Sequence, residues 1–491
     1  MRIVVLGGGT AGWMAANLFA TAWPQARVSV IESPEIGIIG VGEGSTPQLK
    51  AFFDRIGLAE RDWMPRANAT YKTGIAFHGW SERSGCESYF HPFPSDLDLH
   101  TNDAFFSHCA ARRGGVDFVA HPDRFYLPAR LAAEARGPHP AEDFPFEVTY
   151  GYHFDAYLVG AVLRDHAVAR GVAHLPLKVT EVRVSAEGQV AALVTEHGQA
   201  IEADLFVDSS GFRSVIAQEA LGVKFRPFAD NLFNDSAVVM PTPRAGQAIA
   251  PQTRATALSA GWCWAIPLTN RTGNGYVYSS RYIDAAAAEA ELRAHLGLGP
   301  HDPPARHLKM KVGRVENSWT ANCLTVGLSQ GFIEPLEATA LHIVQATVEG
   351  FIAAYEAGGF TPKHRDDFNA RINARYEGIR DYIVCHYRVN RRADSDYWRD
   401  NAANQALSDT LRRVLHIWYS GGDLVAEVAR LGIEGYYSAV SWHCLLAGYG
   451  VFPDRTEPRG QGFDMARIDA MLAKSARHFA PHHEQLAALE R

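Results

Sequence analysis

Cysteine is sparse and scattered. The six residues Cys86, Cys109, Cys263, Cys323, Cys385 and Cys444 lie no closer than 23 positions apart. No CxxC pair and no zinc spacing exists, so neither a metal centre nor a disulfide framework is expected. Each thiol reads as a small buried hydrophobe in a reducing compartment. Basic charge is not in excess either. Lys and Arg number 47 against 54 Asp and Glu, for a formal net charge of −7, which excludes a nucleic-acid binder with a basic stripe. Internal repeats, low-complexity tracts and long linkers are missing. The one long uncharged run, Ile3 to Trp23, has about the length of a membrane span, but a glycine cluster divides it into strand, turn and helix. It has no basic n-region beyond Arg2 and no small-residue cleavage pattern, so a soluble, cytoplasmic chain is expected. What is present fits a globular enzyme: 491 residues, 47% apolar and 21% charged, with Trp 10, Tyr 18 and Phe 25 to line a pocket. At about 100–200 residues per domain, the length predicts two to four units or one two-lobed enzyme.

The N-terminus carries the first chemistry. An apolar strand over 2–6 runs into Gly7-Gly8-Gly9-Thr10-Ala11-Gly12, a helix to about Ala22, and a second strand, Val28 to Glu32. Gly7 permits the tight turn, Gly9 lets the backbone approach a pyrophosphate, and Gly12 lets helix and strand pack closely. The helix N-terminus offers amides to phosphates, and Glu32 accepts from a ribose hydroxyl. Farther along, Phe154 to Gly171 has helical periodicity, and Val179–Val184, Val190–Thr195 and Ala200–Phe206 read as short strands. They lead into Asp208-Ser209-Ser210-Gly211-Phe212-Arg213, which resembles the second FAD contact of flavin monooxygenases. That favours FAD over NAD, and no second GxGxxG calls for a nicotinamide cofactor. Residues 84–150 show no clean period and suggest a substrate-side insertion, while the chain from about Pro362 is largely helical, with amphipathic stretches at Arg365–Arg380 and Ala403–Ile417. The expected architecture is α/β. A discontinuous Rossmann-like FAD-binding module spans 1–80, 150–225 and 310–355, and a largely helical substrate-binding module spans 81–149, 226–309 and 356–491.

Four further segments stand out: Gly40-Val41-Gly42-Glu43-Gly44-Ser45-Thr46-Pro47, Ala69-Thr70-Tyr71-Lys72-Thr73-Gly74-Ile75, Gly261-Trp262-Cys263-Trp264-Ala265-Ile266-Pro267, and Val326 to Ala340 (VGLSQGFIEPLEATA). The first reads as a tight loop passing a flat ligand. In the third, residues i and i+2 of a strand share a face, so both indoles wall one side. Together these segments resemble the flavin-dependent halogenases of the tryptophan-halogenase family. The W-x-W-x-I-P signature stands at Trp262–Pro267, G-x-S-x-G-F-x-E-P-L-E-[AS]-T at 327–339, and G-V-G-E at 40–43.

The resemblance extends over nearly the whole chain and implies a reaction. FADH2 from a separate flavin reductase, O2 and chloride or bromide give hypohalous acid through a flavin hydroperoxide, and the acid crosses the protein to an electron-rich aromatic. By this resemblance Lys72 is the lysine that presents the halogen, by hydrogen bond or as a haloamine, and Glu337 stabilises the cationic intermediate. The amides of Thr339 and Ala340 hold the halide. Val41, Gly42, Val179, Leu328 and Leu341 join Gly7, Gly9, Thr10, Ala11, Gly12, Glu32 and Asp208 around the flavin. Trp262 and Trp264 gate the passage, and His91, Phe93 and Trp442 meet the substrate. Tryptophan-specific members hold the amino-acid backbone with a Tyr/Glu/Phe/Trp cluster. Here Glu434, Tyr436, Tyr437 and Trp442 do not fall into that spacing, so indole or an indole derivative is expected ahead of tryptophan. The competing expectation is an aromatic hydroxylase with the same fold. A homodimer is common among such proteins, though no residue here specifies one.

Overall fold

The computed structural model describes residues 1–35, 42–244, 246, 248–299, 303–454 and 462–490. Two compact units emerge: Met1–Ala69, Phe154–Ala229 and Met310–Glu377 form one, and Thr70–His153, Asp230–Lys309 and Gly378–Arg491 the other.

The first unit is built on a six-stranded sheet. Its order is Trp319–Thr320, Cys323–Thr325, Leu205–Asp208, Arg2–Leu6, Arg27–Ile31, Ala173–Leu175. All neighbours pair in parallel except the first two. Parallel strands covered on both faces read as continuous apolar runs, and Ile3, Val5, Val30, Phe206 and Val207 have no exposed surface. The helix Thr10–Ala22 packs on Ala156–Ala169, where Asn17 donates to the Leu163 carbonyl at 2.9 Å and Thr10 to that of Ala156 at 3.2 Å. The helix expected from Phe154 starts at Ala156, because the Asp155 carboxylate caps it by accepting from the Tyr157 and Leu158 amides. Val179–Val184, Val190–Thr195 and Ala200–Ile201 form an antiparallel meander.

The second unit holds the helices Leu99–Arg113, Leu127–Ala133, Asp396–Ala403, Asp409–Ser420, Leu424–Leu431, Ala439–Gly448 and Met465–Ala476. It also contains a seven-stranded sheet. The order is Arg306–Lys309, Ser236–Pro243, Arg271–Tyr278, Gly261–Pro267, Gln252–Leu258, Gly74–His78, Ser88–Pro92.

That sheet explains where the sequence boundaries shift. Residues 70–80, expected in the first unit, fall in the second because Gly74–His78 pairs with Gln252–Leu258 and Ser88–Pro92. Residues 356–377 fall in the first, where Asn369 accepts from the Trp319 amide and donates to its carbonyl, both at 2.9 Å, and Arg314 pairs with Glu377. The amphipathic stretch expected over 403–417 is divided. One helix ends at Ala403, and the next starts at Asp409 after Ser408, whose hydroxyl accepts from the Leu411 amide. Among the described residues, no helix is long and apolar enough to cross a membrane.

Candidate active site

In the first unit the glycine turn has the shape of a dinucleotide cradle. Gly7 adopts φ +114°, and a Cβ there would lie 2.3 Å from the Ser209 carbonyl oxygen. A Cβ on Gly12 would lie 2.0 Å from the Gly7 oxygen, so neither position accepts a side chain. Gly9 faces open space and caps the helix with no side-chain bond, which leaves the first-turn amides, those of Ala11 and Gly12 among them, without a side-chain cap. Glu32 lies under Gly8 and pairs with His174 at 3.0 Å. These residues fit a phosphate-bearing dinucleotide such as FAD, the cradle being one that a Cβ would fill.

Asp208 ends the strand Leu205–Asp208. It is fully buried, and its carboxylate accepts from the amides of Ser210, Ile216 and Ala217 and from the hydroxyls of Ser210 and Ser214. It therefore organises the turn beyond its strand. Val179 is half-buried at the start of the meander. Gly42 is buried in the short strand Gly42–Gly44, and Val41 lies outside the described residues. Beside Gly42, burial and the charge of Asp155 push the Glu43 carboxyl up to about 7.

The segment 327–340 forms a chain of tight turns leading into the helix Ala340–Ala357. Gly327 takes φ +62° and Ala338 φ +54°, the latter a left-handed alanine held next to Glu337. Thr339 caps the helix without a side-chain hydrogen bond, and Ala340 is exposed. The amides at this end are thus not covered by the cap side chain, as a monovalent anion requires. Glu334 is fully buried and Glu337 is 4% exposed. Leu328 is half-buried and Leu341 buried. Beneath the turns, Gln330 donates to Ser318 at 2.8 Å and to Thr347 at 2.9 Å, and it accepts from Tyr376 at 3.3 Å.

In the second unit Lys72 ends the strand Thr70–Lys72 and has no exposed surface. Its ammonium lies 5.2 Å from the centre of the Phe93 ring. His91 is buried, and its Nδ1 lies 3.4 Å from the hydroxyl of Tyr382, which donates to the Ser441 carbonyl at 3.0 Å. Tyr382 also stacks on Tyr437 and meets Trp442 edge-on at 4.9 Å between ring centres. Tyr437, Trp442, Tyr436 and Ile433 line a small, mostly apolar cavity with Asp381, which accepts from Arg380 and Ser408. Trp262 and Trp264 are buried on one face of the strand Gly261–Pro267, 6.2 Å apart. The Trp264 ring lies over its cross-strand partner Gly275, where a Cβ would come within 2.1 Å of the ring. Glu434 is exposed.

The structure thus brings Lys72 and Phe93 together, and His91 and Trp442 around Tyr382. It adds Tyr382 and Gln330, which no motif singles out because their contacts come from segments far apart in sequence.

A Rossmann-type sheet with a glycine cradle in one unit, and a buried lysine and paired tryptophans in the other, define a flavoprotein oxidoreductase. The sequence model of the tryptophan halogenase family matches residues 2–465, and the chain belongs to that family; it is a flavin-dependent halogenase. The 7-chloro-L-tryptophan 6-halogenase KtzR of Kutzneria sp. (strain 744) is 39% identical, covering 91% of this chain and 90% of its own. The tryptophan 7-halogenase RebH of Lentzea aerocolonigenes is 32% identical, covering 93% and 91%. Among solved structures, BrvH, a flavin-dependent halogenase from Brevundimonas sp. BAL3, superposes with a TM-score of 0.86 at 32% identity, covering 100% of this chain and 99% of that one.

Proposed function

We propose that this enzyme brominates or chlorinates an electron-rich arene of the indole class, with indole or a derivative lacking the amino-acid moiety preferred over free tryptophan. The observation that carries the reading is Lys72, an ammonium with no exposed surface set toward the face of Phe93. Burying a cation costs several kcal/mol, and a lysine is kept in such a place for what its charge does there.

Gly7, Gly9, Thr10, Ala11, Gly12 and Glu32 hold the FAD, with Gly42, Val179, Leu328 and Leu341 along its length. Bound there as FADH2 delivered by a separate reductase, it supplies with O2 the two-electron oxidation of halide to hypohalous acid. The amides of Thr339 and Ala340 bind the halide. Lys72 donates a hydrogen bond to the oxygen of HOX, so that the arene attacks the halogen and the O–X bond breaks. Glu337 stabilises the cationic ring and takes its proton, and the balance is ArH + HOX → ArX + H2O. Trp262 and Trp264 wall the passage, and His91, Phe93 and Trp442 surround the ring. The preference for indole is supported by the cavity beside Trp442: its acid, Asp381, is engaged by Arg380 and Ser408, and Glu434 is exposed. Among the described residues, no uncommitted acid lines it to hold a zwitterion.

The test supplies FAD, a flavin reductase, NADH and each halide with indole and tryptophan in competition. Halogenated indole should dominate, and faster turnover of tryptophan would contradict the substrate preference. Lys72→Ala should abolish halogenation while FADH2 oxidation continues. A product carrying added oxygen, formed equally with and without bromide, would contradict the reaction itself.

A further inference from the structure

The strand bearing Lys72 is an antiparallel partner of residues 151–153, with Thr70 opposite His153 and Lys72 opposite Gly151. Directly opposed residues share a face, as do positions two apart along a strand. Lys72, Thr70 and His153 therefore point to the same side. Lys72 and His153 are diagonal neighbours, roughly 7–8 Å apart by backbone and within reach of long side chains, and Gly151 places no side chain between them.

His153 has no exposed surface, and its hydrogen bonds place a proton on Nδ1. Thr70 donates its hydroxyl proton to the Pro267 carbonyl at 2.7 Å, so it accepts from the His153 Nδ1–H at 3.0 Å. With the ring uncharged by burial, the opposite nitrogen, Nε2, accepts from the Thr253 hydroxyl at 2.9 Å. The ring is the neutral Nδ1–H tautomer. Burial first, then the charges of Lys72 and His482, hold its proton affinity well below the ordinary value. The same clip ties the lysine strand to the large sheet. Thr253 belongs to the strand Gln252–Leu258, Pro267 ends the strand of the tryptophan pair, and the Thr73 amide donates to Pro251 at 2.7 Å.

We propose that His153 is the positioning residue for Lys72: clamped between Thr70 and Thr253, its uncharged imidazole fixes where the ammonium presents hypohalous acid relative to the strand of Trp262 and Trp264. The inference rests on the reading of Lys72 given above. A neutral ring does this without adding a second cation beside the first.

The test uses the full chain with FAD, a flavin reductase, NADH, bromide and indole. Bromoindole is measured against FADH2 consumed, and escaped hypobromous acid is caught in bulk by a β-diketone. Misplacing a reacting group by about 1 Å can cost on the order of a hundred-fold. His153→Leu should therefore lower bromoindole per flavin turnover by about ten-fold or more while trapped hypobromous acid rises, with the KM for indole changed less than about two-fold. Thr70→Val, a milder change, should follow it, and Thr70→Ser, which keeps the hydroxyl, should restore the wild-type ratio. Wild-type coupling in both His153→Leu and Thr70→Val would overturn the inference. So would a joint fall of bromoindole and trapped acid in Thr70→Val and Thr70→Ser alike, since that is mere loss of fold. Lys72→Ala separates the two ideas. If it still brominates indole, the lysine reading fails and takes the inference with it. If it is inactive while His153→Leu stays coupled, only the inference fails.

Discussion

An ammonium at position 72 gives up its hydration, and the nearby Phe93 ring returns only part of that loss, about 0.5–2 kcal/mol for a cation over an aromatic face. On the strand pair, Thr70 and His153 share its face. Glu337 is the complementary case, a carboxylate only 4% exposed at the last residue of a tight turn. If it takes the ring proton, Glu337→Gln, which keeps size and removes the base, should lower the halogenation kcat by roughly 10²–10⁴-fold. Trapped hypohalous acid should persist in that variant, and a fall of less than about ten-fold would contradict the role. Asp208 shows the limit of a motif at this scale. Its Asp-x-x-Gly-x-Arg setting suggests a ligand contact, and the folded chain also engages its oxygens with the amides and hydroxyls of the next turn, which the motif does not show.

Elements, not single residues, decide where these groups stand. The run from Gly327 to Thr339 holds only short turns and a two-residue strand, and the side chain of Gln330 helps fix it by bridging Ser318, Thr347 and Tyr376. Removing one partner from a buried polar network leaves the others unsatisfied, at about 1–3 kcal/mol for each group stranded. Gln330→Ala should accordingly lower the thermal unfolding midpoint and raise the KM for bromide, because the turn that presents the Thr339 and Ala340 amides loses its support. An unchanged bromide KM in a folded variant would detach the network from the halide site. The tryptophan strand is positioned by the same kind of economy: Gly275 opposite Trp264 leaves room for the indole to lie across the neighbouring strand.

Across the whole molecule, burial keeps several histidines neutral. It lowers His342, His443 and His482 to about 4 and His386 to about 3. The unfolded chain binds protons at these sites below about 6.5 and the folded chain does not, so they withdraw stability as pH falls from 6.5 toward 4. Glu43 and Asp98, raised by burial to about 7 and about 6, act in the opposite sense, their contribution being lost as pH rises through those values. The histidines are more numerous, and each is shifted at least about as far. The unfolding midpoint should therefore drop between pH 7 and 4.5, and a flat or rising profile would contradict the neutral assignments. At this scale the sequence was legible wherever chemistry is local. The glycine cradle of Gly7 to Gly12, the meander from Val179, the Trp262–Trp264 alternation and the family itself follow from residues close along the chain, because steric limits and strand periodicity act over a few positions. The burial of Lys72, the His153 clip, the capture of Asp208, the course of residues 70–80 into the seven-stranded sheet and the stacking of Tyr382 on Tyr437 were decided only by tertiary structure. Each depends on which distant segment supplies the facing atom, and solvent exclusion is a property of that packing, which no local run of residues encodes.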